Sequence, residues 1–204
     1  SIDHMAKSFM RRNAIPGLAL SIYYRGKPYY LTYGVANKRN KQKITPNTIF
    51  ELGSVTKTFT ATLLAMDVSS RFITFNSQIG PYLPSPLPQH NRPINHVTFK
   101  ELATHTTGLP DDPTNFTPGE PYLFSKFVLF LYHWRPPFAI GTRYQYSNAG
   151  YGVLGYALAG LAQSPFETLL QQHVIKPLAM PNTTFTVSEK EQKNYAQGYS
   201  ARGR

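Results

Sequence analysis

With 204 residues, 41% of them hydrophobic, the chain is long enough to bury a real core, as one large domain or two small ones. It contains no cysteine, which excludes disulfides, zinc–thiolate sites and thiol nucleophiles together. The 21 Lys and Arg against 10 Asp and Glu give a net charge of +11, compatible with nucleic acid or with anionic small ligands, and no stretch reaches the roughly 18 apolar residues of a membrane span.

In chain order, SIDHMAKSFMRRNAIPG reads as a helix stopped near Pro16 and Gly17. LALSIYYRGKPYYLTYGVA follows as two aromatic, β-rich runs around Arg25-Gly26-Lys27, a hairpin signal. The basic cluster Lys38 to Lys43 lacks interleaved aromatics and reads as a solvated loop. From Ser54, the residues Val55, Phe59, Leu63 and Met66 recur at helical spacing. Thr56, Thr58, Thr60 and Thr62 make that segment a poor helix former, so tertiary burial has to impose the helix.

The proline-rich stretch Pro81 to Pro93 reads as a surface loop. Thr98 with Glu101 forms a capping box ahead of a helix that ends by Gly108 and Pro110. DDPTNFTPGEP is a further loop, and YLFSKFVLFLYHW an apolar helix closed by Arg135-Pro136-Pro137. NAGYGVLGYALAGLAQ, apolar on every side and rich in glycine, suits a buried helix with close backbone contacts. In SPFETLLQQHVIKPL, Ser164 is expected as the cap, Pro165 at the first helical position and Glu167 completing a second capping box.

Two places carry chemistry. Ser54 and Lys57, three apart at a helix start, share a face with roughly 5–6 Å between their β-carbons. Serine is a weak nucleophile until a neighbouring base activates it. A lysine can assist if burial lowers its pKa, and the helix start offers N–H groups to a developing oxyanion. Alone, Ser-x-x-Lys arises often by chance. In YQYSNAGYG, however, Tyr146 and Asn148 point the same way just before the glycine-rich helix. A phenol beside ammonium groups can be held toward its phenolate and take a proton from Ser54. Asn148 can hold Lys57 and meet a substrate carbonyl.

The phrases FELGSVTKTFT, LATHTTGLP, YQYSNAGYGVLGYAL and KNYAQGY, in this order and spacing, resemble the serine β-lactamases, most closely class C, across essentially all 204 residues. The wider family of penicillin-recognising enzymes, with its DD-peptidases and esterases, shares Ser-x-x-Lys and Tyr-x-Asn. The resemblance implies an α/β fold, a helical region plus part of an antiparallel sheet, as a single β-lactamase-like domain over 1–204. It implies that Ser54 is acylated, that Lys57 is its largely buried amine partner, that Tyr146 is the general base and that Asn148 contacts the substrate amide. The implied activity is opening of the β-lactam ring through an acyl-Ser54 intermediate, with a DD-peptidase or esterase, or a catalytically impaired fragment, as alternatives. The expected partner is a β-lactam or D-Ala-D-Ala-like acyl substrate, with no cofactor, no metal and no nucleic acid. The implied location is periplasmic or secreted, although the chain carries no signal peptide pattern. The family's third motif, Lys-Thr-Gly or a close variant, does not follow Tyr146, so the chain to Arg204 reads as the front portion of such an enzyme.

Other residues read as bland. The six histidines form no metal pattern: His90 and His96 lie in the proline-rich region, and His105, His133 and His173 are far apart. His105 is expected to cap or pack beside the site, and Asp111-Asp112 to be solvated. Gly198 to Ser200 lacks the second glycine of a nucleophile elbow.

Overall fold

The computed structural model of the chain describes residues 1–89, 92–117 and 121–200. His90, part of the 111–121 loop and Arg204, all named above, lie outside the described residues. The chain divides into two compact units, Ser1–Leu52 with Thr184–Arg204, and Gly53–Thr183.

In the first unit, Ser1 caps helix α1 (Ile2–Arg12) by accepting the His4 N–H, with Asp3 in the first turn and Arg11 and Arg12 in the last, complementing the helix dipole. Strands β1 (Gly17–Tyr24) and β2 (Lys27–Asn37) pair antiparallel in unbroken register from Gly17↔Gly34 to Tyr24↔Lys27. Arg25 and Gly26 both have positive φ, +49° and +79°, so the predicted hairpin closes through a two-residue turn whose twist matches that of its strands.

The basic cluster departs from expectation at its end. Gln42–Lys43 forms a short strand β3 on β2, after an irregularity between Val35 and Asn37, because the open edge of β2 offers those backbone groups partners. The returning segment lies along Ile49, whose N–H donates to the Asn194 carbonyl at 2.8 Å and whose carbonyl accepts the Ala196 N–H at 2.9 Å. Tyr195 donates its hydroxyl to the Glu51 carboxylate.

The second unit holds the main core. Helix α2 (Thr56–Ser69) and helix α5 (Asn148–Ala162) enclose it with α3 (Phe99–Ala103), α4 (Phe124–His133) and α6 (Phe166–Leu170). Leu63 and Leu64 join Leu102, Phe127, Leu131, Val153, Leu154 and Leu158 in one buried cluster. The hydroxyls that weaken α2 as an isolated helix turn back onto it: Thr58, Thr60 and Thr62 donate to the carbonyls of Val55, Thr56 and Thr58. The buried stripe of α2 is Thr60, Leu63 and Leu64, while Val55 and Met66 from the predicted stripe are exposed.

Gly160 lets α5 approach the Tyr82 backbone so closely that a β-carbon there would collide with the Tyr82 carbonyl. The capping box of Thr98 and Glu101 forms in both directions. The second one does not. Pro165 sits at the cap in an extended conformation with ψ 138°, so the helix begins one residue late and Ser164 lies outside it. The proline-rich stretch is also less superficial than expected, since Leu83 and Leu87 bury fully and Gln89 donates to both their carbonyls.

Candidate active site

Ser54 lies in a 3-10 turn, Gly53–Val55, that runs directly into α2, so the helix proper begins at Thr56 rather than at the serine. That start has no side-chain cap. Lys57, one turn on, donates from Nζ to Ser54 Oγ at 3.2 Å and to Asn148 Oδ1 at 2.5 Å. From the other side Tyr146 donates its hydroxyl to Ser54 Oγ at 2.8 Å. The four predicted residues, separated by 91 or 92 positions between their two segments, therefore share one hydrogen-bonded constellation.

Lys57 differs from expectation in being half-buried. Its hydrogen bonds and two phenol rings, Tyr146 at 4.8 Å and Tyr151 at 5.6 Å from Nζ, fix the ammonium in place of deep burial. The phenol of Tyr146 responds to this surrounding. Its pKa is lowered, first by hydrogen bonding with Lys57 and next by that with Ser54, while desolvation works in the opposite direction.

Tyr146 and Asn148 are presented by a segment tied down at almost every amide. The Gln145 N–H donates to the His105 carbonyl at 2.7 Å and the Ser147 N–H to His105 Nδ1 at 3.0 Å. The N–H groups of Asn148 and Ala149 both donate to the Asp111 carbonyl at 3.0 Å. Ser147, 1% exposed, caps α5 by accepting the Gly150 N–H at 2.7 Å and donates its own hydroxyl to the Pro110 carbonyl at 2.6 Å. Tyr151 donates to the Ala103 carbonyl at 3.0 Å, which sets the second ring beside Lys57.

Sequence reasoning missed three of these supports. From sequence Asp111 reads only as a solvated acid, and its side chain is exposed, but its backbone carbonyl serves two amides. Ser147, between the two residues of the motif, was passed over, although a serine directly before an apolar helix is a cap signal. Tyr151 follows Asn148 by one helical turn and could have been found by that spacing. His105 packs beside the site as expected, with its ring 4.6 Å from that of Tyr146. Among the described residues no group of three or more His, Cys, Asp or Glu could hold a metal ion, and no helix is long and apolar enough to cross a membrane.

A family model described as Beta-lactamase matches residues 2–204. The chain is 36% identical over 203 residues to a β-lactamase of Pseudomonas fluorescens, covering 100% of this chain and 55% of that protein. It is 36% identical over 191 residues to a β-lactamase of Escherichia coli (strain K12), covering 93% of this chain and 49% of that one. Among solved structures it resembles one described as a class C β-lactamase, with TM-score 0.88, 30% identity, and 100% and 55% of the two chains covered. It also resembles the D-alanine carboxypeptidase AmpC of Burkholderia cenocepacia, with TM-score 0.83, 34% identity, and 98% and 54% covered. The chain spans about half the length of the curated relatives it matches.

Proposed function

Since the chain belongs to the β-lactamase family and has the α/β fold of its class C members, we propose that the protein is a serine hydrolase opening the β-lactam ring through an ester on Ser54. The observation that carries this is the position of Ser54 Oγ, held between Lys57 Nζ at 3.2 Å and the Tyr146 hydroxyl at 2.8 Å. In acylation the Tyr146 phenolate takes the Oγ proton as Oγ bonds to the lactam carbonyl carbon. Charge gathers on the carbonyl oxygen, where N–H groups at the uncapped start of α2 can meet it. The C–N bond then breaks, and the ring nitrogen leaves with the proton that Tyr146 returns. In deacylation a water gives its proton to Tyr146 and its oxygen to the acyl carbon, and Oγ is released with the proton restored.

Lys57 keeps the phenolate accessible and Ser54 aligned. Asn148 offers Oδ1 to Lys57, which leaves its Nδ2 to donate to the substrate's amide carbonyl. The +11 charge favours encounter with an anionic substrate, since a β-lactam bears a carboxylate. Periplasmic or secreted placement follows the same reading. Peptidase action on a D-Ala-D-Ala-like ester or amide is the second reading, favoured by the likeness to the D-alanine carboxypeptidase. The same residues would form the same ester.

The test is intact-mass spectrometry after exposure to a slowly hydrolysed β-lactam. One adduct is expected, mapped to Ser54 and absent from Ser54→Ala. An adduct that survives in Ser54→Ala would overturn the assignment.

A further inference from the structure

The Tyr146 hydroxyl can reach Ser54 only while the backbone on either side of it stays in place, and one residue grips both sides. The His105 carbonyl accepts the Gln145 N–H, and His105 Nδ1 accepts the Ser147 N–H at 3.0 Å. The imidazole also lies against both phenols that face Lys57, 4.6 Å from Tyr146 and 4.9 Å from Tyr151, at 30° and 34° to their planes. A nitrogen that accepts from a backbone N–H carries no proton, so the clamp requires the neutral Nε2–H tautomer.

We propose that His105 is a positioning residue for the acyl-transfer chemistry and an acid-sensitive clamp: neutral, it holds Gln145–Ser147 so that Tyr146 meets Ser54, and protonated, it releases the Ser147 side of that segment. On protonation Nδ1 becomes a donor facing the donor N–H of Ser147, and that bond cannot survive. This rests on the reading of Tyr146 as the base.

The groups around the ring fix where the clamp opens. Lys57 faces it from α2, Asp111 from the following loop, Tyr144 and Tyr146 from the clamped segment and Tyr151 from α5. Desolvation first and the Lys57 charge second disfavour the imidazolium, against a smaller opposing effect of Asp111, so the His105 pKa is lowered. The sign follows. The clamp is intact above the lowered pKa, hence across neutral pH, and is lost as pH falls through it.

The backbone at His105 has φ +57°, the left-handed region, which asparagine tolerates best among residues with side chains. Asparagine also places an acceptor, Oδ1, where Nδ1 was, and it cannot titrate. His105→Asn therefore keeps the clamp and removes its switch. His105→Gly keeps the backbone conformation and removes the acceptor.

The experiment uses the full chain with 15N-labelled histidine and backbone, titrated by NMR from about pH 8 to about pH 4. His105 should show an unprotonated Nδ1 and a midpoint below that of an ordinary histidine, and the Ser147 amide signal should move with the same midpoint. A Ser147 amide that ignores the His105 titration overturns the clamp, whether or not the protein reacts with a β-lactam. The acylation rate measured by mass spectrometry supplies the second arm. It should fall in acid with the His105 midpoint in wild type, lose that limb in His105→Asn with the neutral rate kept within about threefold, and drop roughly tenfold in His105→Gly. An unchanged acid limb in His105→Asn overturns the switch. Absence of any Ser54 adduct in wild type would instead strike at the hydrolase reading, leaving the NMR coupling to decide the clamp.

Discussion

Replacing Tyr146 by phenylalanine isolates the chemistry of one oxygen atom. The change removes the hydroxyl that lies 2.8 Å from Ser54 Oγ and leaves the ring. The ring's contacts to the His105 imidazole at 4.6 Å and to the Lys57 ammonium at 4.8 Å do not need the oxygen. Tyr146 is 36% exposed, so water can occupy the vacated position and no cavity forms. Stability should therefore change by no more than about 0.5 kcal/mol, the usual range for a surface substitution. General base catalysis is worth on the order of 10²–10⁴ in rate, or roughly 3–5 kcal/mol of barrier. The acylation rate of Ser54 should fall by that factor while the melting temperature stays put. The pH profile should change as well. A base works above its pKa, and because Lys57 and Ser54 lower that of Tyr146, acylation should rise with pH at values below those of an ordinary phenol. That rise should vanish in Tyr146→Phe. The assay is a mass-spectrometric time course of adduct formation across pH, beside a thermal melt. A variant acylated within about threefold of wild type, with the same pH rise, would refute Tyr146 as the base.

Lys57→Arg should not rescue function: a planar guanidinium does not reproduce one nitrogen bonded to both Ser54 and Asn148, and acylation should fall by about two orders of magnitude, which adduct time courses will show. Gly160→Ala should destabilise the protein although alanine favours helices by about 1 kcal/mol, because the new β-carbon meets the Tyr82 carbonyl and overpacking costs about 1–3 kcal/mol or more; a raised melting temperature would contradict the close approach.

Much of this was legible in the sequence because its signals are local. Arg25-Gly26 announced the hairpin turn, Thr98 and Glu101 the capping box, and the glycine-rich run from Asn148 the buried helix. The constellation of Ser54, Lys57, Tyr146 and Asn148 was legible by motif rather than by physics, since no periodicity tells that residues 91 or 92 apart will touch. What escaped was carried by the backbone. The Asp111 carbonyl receives two amides through no property of aspartate, and the Gln42–Lys43 pairing depends on an available edge of β2. Ser164 failed as a cap because the extended Pro165 delays the helix by a residue, a choice between adjacent positions that composition leaves open. The exposure of Val55 and Met66 likewise reflects which face of α2 its neighbours cover, and helical spacing alone describes a stripe without saying what covers it.

The two helices that bear the site residues begin in opposite ways. At α5 the amides of Ser147, Asn148, Ala149 and Gly150 are all taken, by a ring nitrogen, a carbonyl shared by two, and a hydroxyl. That end has no backbone N–H left for a visitor, so at neutral pH its contribution is to hold Tyr146 and Asn148 where they stand. At α2 no side chain closes the start. It continues instead from the 3-10 turn Gly53–Val55 that carries Ser54. The protein thus closes the helix end that presents Tyr146 and Asn148 with its own acceptors, and carries Ser54 at a helix start that no side chain caps.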